Sequence, residues 1–227
     1  MWKSRLYQRD LLRFFRDHAE TVQWYRGAVC PCRSSPASSP NTTCAACGGL
    51  GWWYPADPTP LRVVMTQVTQ RQNLLAEGLE LRGDDLIADF APGAPLVAWG
   101  DLLWPQWRQG EPYEGQTLVR GTGTTDALFY GATTVSFCGS VDLTTGAATV
   151  YTEGVDFSVS GKTVTWLGTA NQPAAGSLYT IRYNAQFEWV VFDPPQVRVE
   201  RGTSLGPKAI LRKRHLVLQN LPGVLGG

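Results

Sequence analysis

Val155-Asp-Phe-Ser-Val-Ser160, Gly161-Lys162 and Thr163-Val-Thr-Trp-Leu167 are the residues on which the fold class turns. Two runs that alternate apolar with polar side chains flank a two-residue Gly-Lys connection, the sequence form of a tight β-hairpin. Pairing Ser160 with Thr163 sets Val159 opposite Val164 and Phe157 opposite Trp166. All four then share one face, as a half-buried sheet requires. Tyr179, Ile181 and Tyr183 repeat the alternation and are expected to add a strand. The surrounding stretch, 116–187, is rich in Thr, Gly and Tyr and poor in Leu, and reads as a compact antiparallel, sandwich-like module.

On either side of that module the texture changes. Leu61–Thr69, Gly78–Arg82, Leu86–Phe90 and Ala98–Leu103 read as short strands, with turn chemistry at Gly83-Asp84 and Pro92-Gly93. Glu188–Phe192, Gln196–Arg201 and Ala209–Val217 continue the same pattern. The expected fold is therefore mainly β. A small β-barrel is built from 61–115 and 188–217, and residues 116–187 are inserted between its halves. Such an insertion is well tolerated, because lengthening a surface loop adds little closure entropy. Residues 218–227, ending Leu221-Pro-Gly-Val-Leu-Gly-Gly227, read as a loose tail.

Residues 1–60 are expected to hold an N-terminal helix and a metal-binding loop. From Ser4 to Trp24, Leu11, Phe15, His18 and Val22 recur at helical spacing. Arg5, Arg9, Arg13 and Arg16 fall within about 80° of one another on the opposite side of the wheel. After Gly27 come Cys30-Pro31-Cys32 and Cys44-Ala-Ala-Cys47, separated by a polar, Pro-containing loop. Two thiolate pairs brought together by a loop make a four-sulfur site suited to Zn²⁺, and Cys-x-x-Cys is a common metal knuckle. Gly48, Gly49 and Gly51 would let backbone amides approach the sulfurs. An iron–sulfur cluster takes the same four ligands. Two disulfides need an oxidising compartment, and a redox Cys-x-x-Cys normally opens a helix, whereas this one sits in a Gly-rich loop. With every ligand a cysteine, no coordination position is left for substrate, so the metal is expected to be structural. Its expected task is to pin the N-terminal helix to the barrel. Cys138, between Phe137 and Gly139, reads as a buried small hydrophobe.

Composition narrows the function classes. Of the 227 residues 43% are hydrophobic and 17% charged, against about a quarter charged in an average domain. No apolar run approaches the ~18 residues that cross a bilayer, and the Arg-studded start does not resemble a signal peptide. A soluble protein of a reducing, cytoplasm-like space is expected. The net charge of +1 hides basic ends (1–33 and 198–215) around an acidic middle, which suits contacts between copies or a basic rim facing nucleic acid. No catalytic constellation emerges, and an enzyme is not expected. His18 lies on the apolar side of the helix, and His215 in the basic run Arg212-Lys-Arg-His215. Arg120-Gly-Thr-Gly-Thr-Thr lacks the lysine and the strand–loop–helix context of a phosphate loop. Asp84, Asp85 and Asp89 read as turn and strand-edge residues.

Three stretches resemble virion proteins of tailed bacteriophages, in particular head–tail connector, neck or stopper-like proteins. The first is the N-terminal helix running into Cys30-Pro-Cys-Arg33 and Cys44-Ala-Ala-Cys-Gly-Gly-Leu-Gly-Trp52. The second is Tyr151-Thr-Glu-Gly-Val-Asp-Phe157 with Val164-Thr-Trp166, Pro173, Gly176 and Tyr179-Thr-Ile-Arg-Tyr183. The third is Arg198-Val-Glu-Arg-Gly202 with Leu211-Arg-Lys-Arg-His215. Together they cover about half the chain, and the middle phrase is shared with tail and baseplate proteins. The resemblance implies a small barrel with a peripheral module. It also implies assembly as a homo-oligomeric ring around the DNA channel of the virion, between portal or adaptor and tail. The alternative from another class is a zinc-ribbon nucleic-acid-binding protein. It would use Arg5, Arg9, Arg13 and Arg16 with Arg212, Lys213 and Arg214 as phosphate contacts.

Overall fold

The computed structural model describes residues 8–33, 40–41, 44–67, 84–105, 110–169, 171–200 and 203–219. The first element, α1 (Gln8–His18), is a helix, but it stops well short of Trp24. Beyond His18 the period changes from helical to alternating. Thr21, Val22, Trp24 and Tyr25 are β-branched or aromatic, and Val22 and Trp24 are buried while Thr21 is exposed. These residues form strand β1 (Glu20–Tyr25). Val22 is thus a strand residue that falls at helical spacing by coincidence, and His18 lies exposed against the Phe14 ring, 4.8 Å away. Arg62 fixes the helix end. Its Nη2 donates to the carbonyls of Phe15 (3.2 Å), Arg16 (3.0 Å) and Ala19 (2.8 Å), satisfying acceptors that a helix C-terminus leaves open. Arg62→Ala should therefore cost about 1 kcal/mol, as loss of a helix cap does. It should speed amide exchange in α1 but not across Leu86–Phe90; equal protection in both would remove the capping role.

The chain divides into two compact units, 1–105 with 188–227, and 106–187. In the first, β4 (Thr59–Gln67), β5 (Leu86–Phe90), β6 (Leu102–Pro105), β12 (Trp189–Glu200) and β13 (Thr203–Lys213) join β1 in a closed antiparallel barrel of order β1-β4-β5-β13-β12-β6. Closure removes the free sheet edges that invite aggregation. Val22, Val63, Phe90, Leu103, Val191 and Leu211 are fully buried in this unit. The strand expected at Gly78–Arg82 lies outside the described residues. The one expected at Ala98–Leu103 begins only at Leu102, because Asp101 holds residues 98–101 in a turn. The stretch expected as Ala209–Val217 leaves the barrel at Lys213 and continues as helix α2 (Arg214–Gln219). That helix takes in the first two residues of the expected tail, and the rest of the tail lies outside the described residues.

In the second unit, β7 (Glu111–Val119), β8 (Thr125–Val141), β9 (Ala148–Val150), β10 (Phe157–Trp166) and β11 (Leu178–Gln186) form an antiparallel sheet of order β10-β8-β11-β7, with β9 beside β8. Within β10 the chain reverses. Ten residues of extended strand would span about 30 Å, yet the Phe157 and Trp166 rings lie 5.7 Å apart. The Leu167 amide also donates to the Asp156 carbonyl at 3.0 Å, in register with a Ser160–Thr163 pair. Gly161, with φ 56°, takes the left-handed conformation that a two-residue hairpin turn demands. Phe157, Val164 and Trp166 are buried on one face and Val159 is half-buried with them.

Candidate metal centre

Strands β2 (Ala28–Val29) and β3 (Trp52–Trp53) pair as a short ribbon, extended by the Cys30 amide donating to the Gly51 carbonyl at 2.9 Å. The ribbon closes the base of a loop whose two knuckles face each other. In one, the Arg33 amide donates to the Cys30 carbonyl; in the other, the Gly48 amide donates to the Cys44 carbonyl and the Leu50 amide to that of Cys47. The chain therefore folds back after each cysteine pair and aims the sulfurs inward.

The four sulfurs of Cys30, Cys32, Cys44 and Cys47 all lie within 4.8 Å of one another. Cys30 Sγ is 3.7 Å from Cys44 Sγ, and Cys32 Sγ is 3.6 Å from Cys47 Sγ. A metal–sulfur bond of about 2.3 Å puts the corners of a tetrahedron about 3.8 Å apart, so the donor set fits one tetrahedral ion. The separations are far above the ~2.05 Å of a disulfide, and all four are free thiols. Cys30 and Cys47 are buried, and Cys32 and Cys44 are half-buried.

Backbone amides supply the negative charge with partners. The Gly51 amide donates to Cys47 Sγ at 3.3 Å. Those of Cys47 and Ala46 pull the Cys44 thiol down to about 7, so it ionises near neutrality even without metal. Burial raises Cys32 and Cys47, a cost that a cation bound among the sulfurs would offset. Gly51 shows why glycine is needed beside the site. Its φ is 74°, and a Cβ there would lie 2.7 Å from Arg33 Cδ and 2.9 Å from Pro40 Cβ.

The site is tied to the barrel rather than to the N-terminal helix. Trp52 presses on Gly100, where a Cβ would come within 2.5 Å of the indole, and its ring meets Trp99 edge-on at 5.3 Å. Next to Gly100, the buried Asp101 carboxylate accepts from Trp24 Nε1 (2.9 Å), the Gly27 amide (2.8 Å) and the Ala98 amide (2.8 Å). The backbone of Asp101 accepts from Val191 of β12 at 2.8 Å. The expected task of pinning the helix is thus corrected. Strand β1 separates α1 from the cysteines, and the metal loop is fastened to the barrel through Trp52 and the 98–101 turn. Sequence alone does not single out Asp101; the signal it offers is Trp99-Gly100-Asp101, a turn that ends in a carboxylate.

Among the described residues the other sequence candidates do not assemble into a site. Arg9, Arg13 and Arg16 stand exposed on α1, and Arg5 lies outside the described residues. Asp85 and Arg212 are both buried and form a bidentate ion pair, Nε to Oδ1 at 2.9 Å and Nη2 to Oδ2 at 2.7 Å. Arg214 is paired with Glu188 at 2.7 Å, and Lys213 Nζ sits 5.5 Å over the Trp189 ring. The run Arg212-Lys-Arg214 is therefore largely engaged inside its own unit. Asp84 is exposed. His215 is held neutral, its pKa lowered to about 4 by burial and by Lys213. In the Gly-rich loop, Arg120 turns inward and donates to the carbonyls of Gly121 (2.8 Å) and Gly123 (2.6 Å). Cys138 is buried, and burial with nearby Asp156 pushes its thiol up to about 12, so it behaves as an inert apolar side chain. Among the described residues no helix is long and apolar enough to cross a membrane.

No protein-family model matches this chain, and no curated protein matches it.

Proposed function

We propose that this chain is a structural virion protein of a tailed bacteriophage. It forms part of the head–tail connector ring that joins the portal or adaptor to the tail around the DNA channel, and Zn²⁺ fills its four-cysteine site. The observation that carries the reading is architectural. A closed six-stranded barrel bears a four-cysteine knot, and a separate antiparallel sheet is inserted into its chain. That is the arrangement implied by the connector-like stretches around Cys30–Trp52 and Tyr151–Tyr183. In this role the metal replaces a core that the Cys30–Gly51 loop is too short to build, and the protein works through its surfaces. Zinc is favoured because the sulfurs crowd around the position of one ion. A polynuclear iron–sulfur cluster would spread them around several irons and sulfides. The zinc-ribbon alternative is weakened by the internal pairing of Arg212 and Arg214, two of the phosphate contacts it needs.

The test is genetic. A phage genome lacking this gene should yield tails and DNA-filled heads that fail to join. Normally joined, infectious particles would exclude the neck role. Joined particles that do not infect would move the protein to the baseplate.

A further inference from the structure

Each cysteine of the knot faces a sulfur of the other knuckle. Cys30 Sγ lies 3.7 Å from Cys44 Sγ, and Cys32 Sγ lies 3.6 Å from Cys47 Sγ. A disulfide holds its sulfurs about 2.05 Å apart, so each pair has only about 1.6 Å to close. Exposure divides the four in a useful way. Cys32 and Cys44 are half-buried, whereas Cys30 and Cys47 are buried. Each near pair therefore joins one sulfur that solvent reaches to one that it does not. That is the arrangement of a sulfur that meets an oxidant and a second that resolves the product. Cys138, the remaining cysteine, is buried in the other unit and stands outside the cluster.

We infer that the knot is a peroxide-sensitive switch, oxidised to two disulfides that cross between the knuckles, Cys30–Cys44 and Cys32–Cys47, with release of the cation. The Cys44 thiolate attacks one oxygen of a peroxide and the O–O bond breaks. Sulfenic acid forms on Cys44, and with hydrogen peroxide the other oxygen leaves as hydroxide. The Cys30 thiolate then attacks that sulfur across the gap. An S–S bond forms, the S–O bond breaks, and a second hydroxide leaves. Cys32 and Cys47 repeat the sequence with a second peroxide. Four thiolates thus lose four electrons, and two molecules of hydrogen peroxide take them up as four hydroxides. Once the sulfurs are paired, no anionic ligand is left to hold a metal ion. The loop would exchange one kind of cross-link for another, so the base of the β2–β3 ribbon stays closed while its charge and its ion are lost. The inference deepens the metal-site reading and rests on it for the release of the ion. The pairing of the sulfurs rests on their geometry alone, and none of it depends on the neck role.

Treating the full-length protein with hydrogen peroxide, then alkylating it under denaturing conditions, tests the pairing. Alkylatable thiols should fall from five to the single one of Cys138, and a dithiol reductant should restore them. Trypsin separates residues 27–33, which carry Cys30 and Cys32, from 34–62, which carry Cys44 and Cys47. In a digest left unreduced the two peptides should run as one joined species. A zinc-sensitive dye should report release of the ion in step with the loss of thiols. Two double variants, each lacking two ligands, separate the pairs. Cys32→Ser with Cys47→Ser keeps a near pair with one accessible sulfur and should still join the peptides. Cys32→Ser with Cys44→Ser keeps only the two buried sulfurs and should lose thiols at least about tenfold more slowly. Separate peptides after oxidation would overturn the inference, as would thiols that resist peroxide or double variants that oxidise at equal rates. Joined peptides in a sample that never held metal would uphold the pairing and remove the zinc reading instead.

Discussion

Purified protein should hold about one equivalent of metal, and removing it should loosen the β2–β3 ribbon and the turn at residues 98–101 while leaving α1 in place. Structural four-ligand zinc sites have apparent binding free energies of about 10–16 kcal/mol in isolated peptides, and that binding is what folds the surrounding chain. Among its described residues the Cys30–Gly51 loop has a small buried set to hold it. Its buried residues, among those described, are Cys30, Pro40, Cys47, Gly49, Leu50 and Gly51. Loss of the ion leaves three thiols and one partly ionised Cys44 where four thiolates had a cation between them. The disturbance should travel through Trp52 to Gly100 and Asp101, and so to the hydrogen bond that Trp24 Nε1 makes. Tryptophan emission should shift, and amide protection at Ala98, Gly100 and Cys30 should fall. α1 is held by Arg62 and the buried Phe15, so its protection should persist. Cys47→Ser should reproduce the loss, whereas Cys138→Ser should leave metal content unchanged. A reduced, folded sample that lacks both zinc and iron would end the metal assignment. Unchanged protection at Ala98 after chelation would show that the loop does not lean on the ion.

How far these features were legible depended on the range of the physics that sets them. The hairpin at Gly161-Lys162 was readable because its register follows from local alternation and a two-residue turn. The cysteine site was readable because thiolates at knuckle spacing have few other uses. The end of the helix was not. Leu11, Phe15, His18 and Val22 satisfy helical spacing, and what ends the helix at His18 is Arg62, some forty residues away, together with two neighbouring strands that recruit Val22 and Trp24. Closure of the barrel by β1 was hidden for the same reason. The basic run at 212–214 misled because charge in a sequence does not reveal its partner. Asp85 lies far from Arg212 in the chain and only the β5–β13 ladder brings them together. Asp101 shows the same limit, being a single carboxylate two of whose three donors, Trp24 and Gly27, come from a segment far away in the chain.

Trp166→Ala should destabilise the 106–187 unit by about 3–5 kcal/mol, the range for truncating a buried aromatic side chain. Trp166 is almost wholly buried, with its ring edge-on to Tyr151 at 5.3 Å and to Tyr179 at 5.2 Å, and tilted against Phe157 at 5.7 Å. The Arg120 guanidinium lies 5.6 Å above it. Alanine would leave a cavity that these rings, fixed on different strands and loops, cannot close together. The indole also has a polar task. Its Nε1 donates to Asp126 Oδ2 at 2.8 Å, beside the Tyr179 hydroxyl at 3.0 Å, while the Gly121 amide holds Oδ1 at 2.8 Å. Removing one of three donors from a nearly buried carboxylate adds to the loss, and Trp166→Phe separates the two parts. Phenylalanine keeps much of the volume and deletes the donor, so it should cost about 1.5–3 kcal/mol, the worth of a hydrogen bond to a charged group. Denaturant titration of the full-length protein, followed by exchange at the Ile181 and Tyr183 amides, reports on this unit alone. Both variants close to wild type would mean that the Phe157–Trp166 face is not the core of the sheet. Equal losses for Ala and Phe would mean that the bond to Asp126, and not ring packing, is what Trp166 contributes.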